Sequence, residues 1–216
     1  MVVDGASWFF NGGFGPACCK AWPLPHLRAV VSGRGPRLGP MLMADFLNTA
    51  GRTYDEMKRN AGVLVREMVE CHGDTILGGP FGSKLEIVVA GWSETTGPDA
   101  FVISTHGDNP AVAPWTVLDC GPVMMTPGDP EIQQTALAAM PAGVTCADDM
   151  DPARDGLAIV MAQRAGRVLA DGMSVVGAFV QLTTVTQEGI STRILHSWPE
   201  EWGEPMVPPA ETEAAA

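Results

Sequence analysis

Apolar and polar residues alternate along this chain at two periods, one typical of strands and one typical of helices. Short apolar runs bounded by Gly or Pro predict strands at residues 29–31, 84–92, 101–106 and 115–121. A turn around Gly97 and Pro98 is expected between the second and third of these strands. The middle of the chain is therefore expected to form an antiparallel meander.

Two segments rich in β-branched residues near the end of the chain predict a hairpin. They cover residues 175–186 and 190–198, and the polar residues 187–189 separate them. Earlier, the strand at 29–31 is expected to end in a turn, because Gly33 and Gly35 permit positive φ.

Helical periodicity follows the first strand. One helix is predicted over 41–51, and Thr53 opens a longer one with Glu56 at the spacing of a capping box. The apolar residues of the longer helix share one face, which predicts that it covers a sheet: Met57, Ala61, Leu64, Val65 and Met68. Two Asp-Pro pairs, at Asp129 and Asp151, predict further helix starts.

The order of elements is strands, helices, strands, helix and strands. This order favours an α+β domain over alternating βαβ units. Because the 216-residue chain has no internal repeat and no linker, one domain is expected over residues 1–204. The remaining residues, 205–216, are rich in Pro, Ala and Glu and are expected to form a disordered tail.

Charge excludes two classes of partner. The chain has 13 basic and 25 acidic residues, a formal net charge of −12, which repels phosphate groups within a Debye length of about 8 Å. Nucleic acid and anionic membranes are therefore not expected partners. No apolar run approaches the roughly 18 residues that a spanning helix needs, and the N-terminus lacks the basic region of an export signal.

The cysteines and histidines indicate neither a disulfide framework nor a metal site. The five Cys residues include the adjacent pair Cys18 and Cys19, which we expect to be buried as small apolar groups in a cytoplasmic protein. Cys71, His72 and Asp74 are explained more simply by a helix end at Gly73 than by a metal. The glycines at 33–39 do not have dinucleotide-loop spacing, so no cofactor is expected.

The order of these segments resembles a known superfamily. An opening strand ending in Asp4, the later Lys20, and a strand at 29–35 leading into two helices resemble the N-terminal nucleophile (Ntn) hydrolases of the proteasome type, including HslV and Anbu. Residues 87–105 are similar to the paired central strands of that family. Residues 170–180 follow its late Asp, Ser and Gly order, with Val175 where the family usually has Gly. The resemblance implies a four-layer αββα sandwich of two antiparallel sheets.

The resemblance also implies amide or peptide hydrolysis by a homo-oligomer. In that chemistry a terminal Thr, Ser or Cys attacks the amide with its own α-amine as general base. Lys20 corresponds to the cation that stabilises the nucleophile, Asp4 to its partner, and a backbone N–H near Gly33 to the oxyanion donor. Asp171 and Ser174 correspond to the groups that support the amine. The plainer alternative is that Asp4 and Lys20 form an ordinary exposed ion pair.

The nucleophile is the open question of this resemblance. If Asp4 ends the second strand of the family pattern, the first strand and its Thr precede Met1. Two interpretations remain: a threonine-peptidase-like enzyme whose true start lies upstream, or a non-catalytic structural subunit of an oligomeric, phage-like assembly. The sheet edge left unpaired by a missing strand favours an upstream start, or a partner that covers the edge.

Overall fold

In a computed structural model of the protein, the described residues form two antiparallel sheets and four α-helices. This arrangement confirms the predicted α+β class. The described residues are 1–7, 14–36, 38–77, 84–107, 113–121, 124, 130–138, 140, 149–166, 176–204 and 206.

The chain divides into two compact units. The first consists of Met1, Lys20–Gly121 and Thr183–Ser191, and the second of Val2–Cys19, Pro122–Leu182 and Thr192–Ala216. The single domain expected over 1–204 stays a prediction, and most of the expected tail, residues 207–216, lies outside the described residues.

The first unit contains a five-stranded sheet in which every pair of neighbouring strands is antiparallel. Its strands, in their order across the sheet, are β2 (Trp22–Leu24), β3 (Ala29–Arg34), β4 (Glu86–Ser93), β5 (Gly97–Ser104) and β6 (Leu118–Asp119). The predicted meander is therefore confirmed. A short 3-10 turn, Pro25–Leu27, joins β2 to β3.

Two helices pack against this sheet and form its core. They are α1 (Leu38–Leu47) and α2 (Tyr54–Leu77). Four of the five residues predicted on the inner face of α2 are completely buried: Met57, Ala61, Val65 and Met68. Leu64 packs at the edge of the same core. The predicted amphipathic helix is confirmed because its apolar period matches the helical turn.

Thr53 caps α2 as the sequence predicts. Its Oγ1 accepts a hydrogen bond from Glu56 N at 3.2 Å. The reciprocal contact is shifted by one residue, because the Glu56 carboxylate accepts from Arg52 N at 2.8 Å. Side chains therefore satisfy backbone donors that the first turn of a helix leaves free.

Two predicted turns are placed differently. Residues 94–96 form the turn between β4 and β5, while Gly97 and Pro98 already pair with β4. The reason is that Ser93 Oγ accepts from Thr95 N and Thr96 N and closes the turn earlier. Gly33 likewise lies inside β3. Of the two glycines expected in the turn, Gly35 alone has positive φ, at 128°.

The second sheet has three strands in the order β1 (Val2–Asp4), β7 (Phe179–Val185) and β8 (Ile190–Ser197). Strands β1 and β7 are antiparallel, with Val3 opposite Gln181. Strands β7 and β8 form the predicted hairpin, and Thr186 N donates to Gly189 O in its turn at 2.9 Å.

The second unit also contains α3 (Pro130–Ala138) and α4 (Arg154–Gly166), which pack against each other. Helix α4 also packs on β1. Asp151 Oδ1 accepts from Ala153 N and Arg154 N, at 2.9 and 3.3 Å, so this predicted start signal is confirmed. Helix α3 begins at Pro130 as predicted, and Asp129 lies outside the described residues. None of the helices in the described ranges has the length and apolar content to cross a membrane.

Candidate functional site

Asp4 is held at the end of β1 by its neighbours in the chain and in the sheet. It lies opposite Val180 of β7 and is half-buried. Its Oδ1 accepts a hydrogen bond from Ala6 N at 2.9 Å. The carboxylate is therefore fixed by the turn that follows the strand, as a positioned charge requires.

Gly5 continues the attachment of β1 to the second sheet. Its N–H is shared between Phe179 O at 2.8 Å and Gly177 O at 3.2 Å. A Cβ at this position would lie 2.4 Å from the Phe179 ring, so only glycine fits without a shift. Asp4 is thus followed by a backbone that packs directly on an aromatic side chain.

Lys20 and Gly33 belong to the first unit. Lys20 is half-buried and lies just before β2. Gly33 lies opposite Ile87, and a Cβ there would approach Glu86 O to 2.4 Å. The expectation that Gly33 is a turn residue is wrong, because Gly33 is part of β3 and pairs with Ile87 of β4. The close backbone approach explains why glycine is needed there.

The pairing of Asp4 with Lys20 and the roles of Asp171 and Ser174 stay predictions. Asp4 belongs to the second unit and Lys20 to the first, and their pairing stays a prediction. Asp171 and Ser174 lie outside the described residues, so their proposed roles stay predictions too.

Cysteine burial differs from the expectation. Cys19 is exposed and Cys18 is only partly buried. The backbone at this position is attached to the second unit, since Cys18 N donates to Gly5 O at 3.0 Å. The expectation that both thiols are buried is therefore wrong for Cys19 and only partly met for Cys18.

A group of charged residues that the sequence analysis did not single out joins α2 to the five-stranded sheet. Lys58 Nζ lies 2.6 Å from Asp99 Oδ2 of β5 and 2.7 Å from Asp119 Oδ1 of β6. Burial lowers the pKa of Lys58, but its hydrogen bonds to Asp119 and Asp99 outweigh that effect and raise the pKa above its ordinary value. Lys58 therefore stays charged and bridges three elements.

The Tyr54 side chain is fully buried beside this group. Its hydroxyl meets no hydrogen-bond partner among the described residues. Burial raises the pKa of Tyr54, and the nearby Asp99 carboxylate raises it further. The ring packs edge-on against Phe101 and over Gly91, where a Cβ would lie 2.3 Å from the ring.

Lys58 and its two carboxylates line an open groove of about 520 Å³ together with Asp55, Ser93 and Thr95. The groove carries charges of both signs. Within the described ranges, no three His, Cys, Asp or Glu side chains are arranged to hold a metal ion. No local motif could have predicted this group, since its members are far apart in the sequence and meet only through the sheet register.

Comparisons of the whole structure identify similar folds. An Anbu (Gly-1) mutant from Hyphomicrobium sp. strain MC1 is 12% identical, with a TM-score of 0.61 over 93% of this chain and 83% of that chain. Another structure of Anbu from the same strain gives a TM-score of 0.59 at the same identity and coverage. Anbu from Yersinia bercovieri, described as an ancestral beta-subunit, is 9% identical, with a TM-score of 0.58 over 90% of this chain and 81% of that chain.

Comparisons of the sequence give no such match. No family model matches the chain, and no curated protein matches it. At 9–12% identity, the structural likeness shows the fold alone. The chain therefore has the fold of the Anbu proteins, in agreement with the proteasome-like resemblance of its sequence.

Proposed function

We propose that this protein is a proteasome-like member of the Ntn hydrolases whose chemistry is the hydrolysis of amide or peptide bonds. The observation that carries the proposal is the likeness to Anbu over 90% or more of the chain, together with the fixed Asp4 carboxylate at the end of β1. The proposal includes a four-layer αββα arrangement and assembly of identical subunits in the cytoplasm.

The proposed reaction uses a terminal Thr, Ser or Cys. Its side chain attacks the amide carbon and gives its proton to its own α-amine, which passes the proton to the departing amine nitrogen. Water then cleaves the acyl-enzyme bond. Lys20 stabilises the charge on the nucleophile, Asp4 neutralises Lys20, and a backbone N–H near Gly33 binds the oxyanion. Asp171 and Ser174 hold the amine.

A second candidate is a non-catalytic structural subunit with the same fold. It is favoured by the composition of β1, Val2–Asp4, which contains no Thr, Ser or Cys. In this alternative Asp4 and Lys20 are an ordinary ion pair, and the fold serves assembly. The two candidates differ in whether an N-terminal nucleophile exists in the natural protein.

The test compares two forms of the protein. One starts at Met1, and the other includes any in-frame sequence upstream. Each form is incubated with a peptide electrophile and its intact mass is measured, while native mass spectrometry records assembly. The hydrolase proposal predicts that the longer form loses a leader, exposes a Thr, Ser or Cys, and gains the mass of one electrophile.

The matched controls are two lysine variants of the longer form. Lys20→Ala is expected to slow the uptake of electrophile at least tenfold because it removes the stabilising cation. Lys84 is an exposed lysine outside the proposed site, so Lys84→Ala is expected to leave the rate of electrophile uptake unchanged. An assembled longer form that takes up no electrophile contradicts the hydrolase and supports the structural subunit. Peptide turnover by the Met1 form, lost in Lys20→Ala, contradicts the structural subunit.

A further inference from the structure

A buried ion pair in the second unit holds the backbone on both sides of Gly177. Arg164 Nη1 lies 2.6 Å from Glu200 Oε1, and the two side chains are 5% and 6% exposed. The same Nη1 donates to Val176 O at 2.7 Å, and Ala178 N donates to Glu200 Oε2 at 2.9 Å. The pair thus binds two peptide groups that flank one glycine.

The bound backbone has a shape that few residues accept. A Cβ on Gly177 would lie 2.7 Å from Arg164 Nη1 and 2.8 Å from Glu200 Oε1, so the pair leaves room only for glycine. Ala178 has φ of 62°, in the left-handed region that residues with a Cβ rarely adopt. Such a conformation persists where its surroundings determine it.

This backbone leads directly to Asp4. Gly177 O and Phe179 O both accept the N–H of Gly5, and Val180 lies opposite Asp4. The residues held by the ion pair are therefore the ones that hold the end of β1. A shift of Gly177 would remove one of the two acceptors of the Gly5 N–H, directly beside the turn that fixes the Asp4 carboxylate.

A buried ion pair is by itself weak evidence of a stabilising role. Apolar residues of similar size often replace a buried ion pair with no loss of stability, whereas removal of one partner leaves a buried charge. The Arg164 guanidinium also lies 4.5 Å above the Trp198 ring, and Trp198 N donates to Ala178 O at 2.9 Å. These contacts all converge on the same three residues, 176–178.

We infer that Arg164 and Glu200 are positioning residues, which fix the Asp4 end of β1 through Gly177 and Gly5. The inference rests on the proposed function in one respect, namely that Asp4 belongs to the site. Its structural part concerns only contacts inside the second unit.

The test replaces the pair by apolar residues, Arg164→Met with Glu200→Leu, and measures amide hydrogen exchange. We expect exchange of the Gly5 amide to rise at least tenfold, while exchange in α3 of the same unit and in β3 of the first unit stays unchanged. A pair that only stabilises the second unit would raise exchange at Gly5 and in α3 together, or in neither. Either of those results overturns the inference.

Two single variants and one control sharpen the test. Gly177→Ala keeps both charges but pushes a Cβ between them, so it should release Gly5 in the same way. Glu200→Gln keeps the size of the side chain but leaves one carbonyl oxygen to serve Ala178 N and Arg164 Nη1. If the double variant does not fold, a rise in Gly5 exchange is measured in this variant instead. Arg66→Met with Glu70→Leu removes an exposed pair on α2 and should change neither region.

A second measurement separates this inference from the proposed function. The longer form that carries Arg164→Met and Glu200→Leu should take up peptide electrophile at least tenfold more slowly than the longer wild-type form. If the wild-type form takes up none, the function fails while the exchange result still decides the positioning role. If uptake persists and Gly5 exchange is unchanged, the positioning role fails and the function stands.

Discussion

The ring of Tyr54 stabilises the first unit, whereas its hydroxyl lowers the stability of that unit. The ring is completely buried and packs edge-on against Phe101, which stabilises the core. The hydroxyl makes no hydrogen bond of good geometry among the described residues, although the charge of the nearby Asp99 carboxylate and a weak hydrogen bond to it raise the Tyr54 pKa beyond the effect of burial. A buried hydroxyl without a partner costs about 1–3 kcal/mol of stability.

Tyr54→Phe is therefore expected to keep the free energy of unfolding or to raise it by about 1 kcal/mol, since it removes only the unpaired hydroxyl. Urea unfolding of the purified variant measures the change. A loss of more than about 1 kcal/mol would instead mean that the hydroxyl has a partner, such as Asp99 or a buried water.

Gly91 accommodates the same ring from the sheet side. Gly91→Ala is expected to lower the free energy of unfolding by about 1–3 kcal/mol, because the new Cβ would lie 2.3 Å from the Tyr54 ring. Gly121→Ala is the matched control, since apart from its chain neighbours no atom of the described residues lies within 4 Å of the Cβ it would add. Combining Gly91→Ala with Tyr54→Leu should recover part of the loss, and strict additivity of the two changes would contradict the clash.

At the scale of elements, the start of α2 is fixed by the turn between β4 and β5. Glu94 of that turn accepts from Tyr54 N and Asp55 N, at 3.4 and 3.2 Å, and from Arg28 Nη2 at 2.9 Å. Thr95 Oγ1 donates to the Asp55 carboxylate. The helix begins where these acceptors meet its free N–H groups, and the negative charge complements its dipole.

This arrangement predicts an acid-labile helix start. Burial raises the pKa of Glu94, but hydrogen bonds from Asp55 N, Arg28 and Tyr54 N lower it overall below its ordinary value of 4.5. A carboxylate whose pKa is lowered by folding adds stability above its unfolded pKa and loses it as pH falls through the folded pKa. We therefore expect unfolding free energy to decline below about pH 4.5, and exchange in the first turn of α2 to rise.

Glu94→Gln should remove this part of the pH dependence, because the amide does not titrate. Glu188→Gln, in the exposed turn between β7 and β8, is the matched control and should retain it. Thermal unfolding between pH 3 and 7, on the order of ten points, together with amide exchange, provides the comparison. Identical pH profiles for wild type and Glu94→Gln would contradict the role of this carboxylate.

At the scale of the whole molecule, charge governs the proposed assembly. Every copy has a formal net charge of −12, so identical subunits repel each other at low salt. Salt shortens the range of this repulsion, from about 10 Å at 0.1 M to about 3 Å at 1 M. Apolar contacts between subunits are not weakened in the same way.

We therefore expect the assembled fraction to rise when NaCl increases from about 0.1 M to 1 M, as screening removes the repulsion. Sedimentation velocity at several protein concentrations measures it, with urea unfolding at the same salt as a control for fold stability. A monomer at every concentration contradicts the proposed homo-oligomer. Dissociation at high salt would show that ion pairs of opposite sign hold the assembly.

Much of the fold could be predicted from the sequence because its signals are local. The inner face of α2, its Thr53 cap, the Asp151 cap and the late hairpin all follow from spacing within a few residues. Predicted turns failed where a side chain redirected the backbone, as Ser93 does before residues 94–96. Gly33 was predicted in a turn because closely spaced glycines are typical of turns. Glycine is also needed in a strand where another backbone approaches closely, as Glu86 O approaches Gly33.

The candidate site was predictable only in part. The chain order suggested Asp4 and Lys20 through a resemblance, and the structure fixes the surroundings of Asp4. The contacts of Lys58 with Asp99 and Asp119 could not be predicted, nor could the pairing of Arg164 with Glu200. Each joins residues from separate elements, and no spacing rule covers such distances along the chain.

The sequence by itself determined most of the helices and strands, the α+β class, and the net acidic charge of the chain. Periodicity, caps and composition act within one or two turns of the chain, so they can be read without coordinates. Only the tertiary structure decided which charges meet, which glycines are required and which polar atoms are buried. Those outcomes depend on strand register and helix packing, where residues remote in sequence are brought within bonding distance.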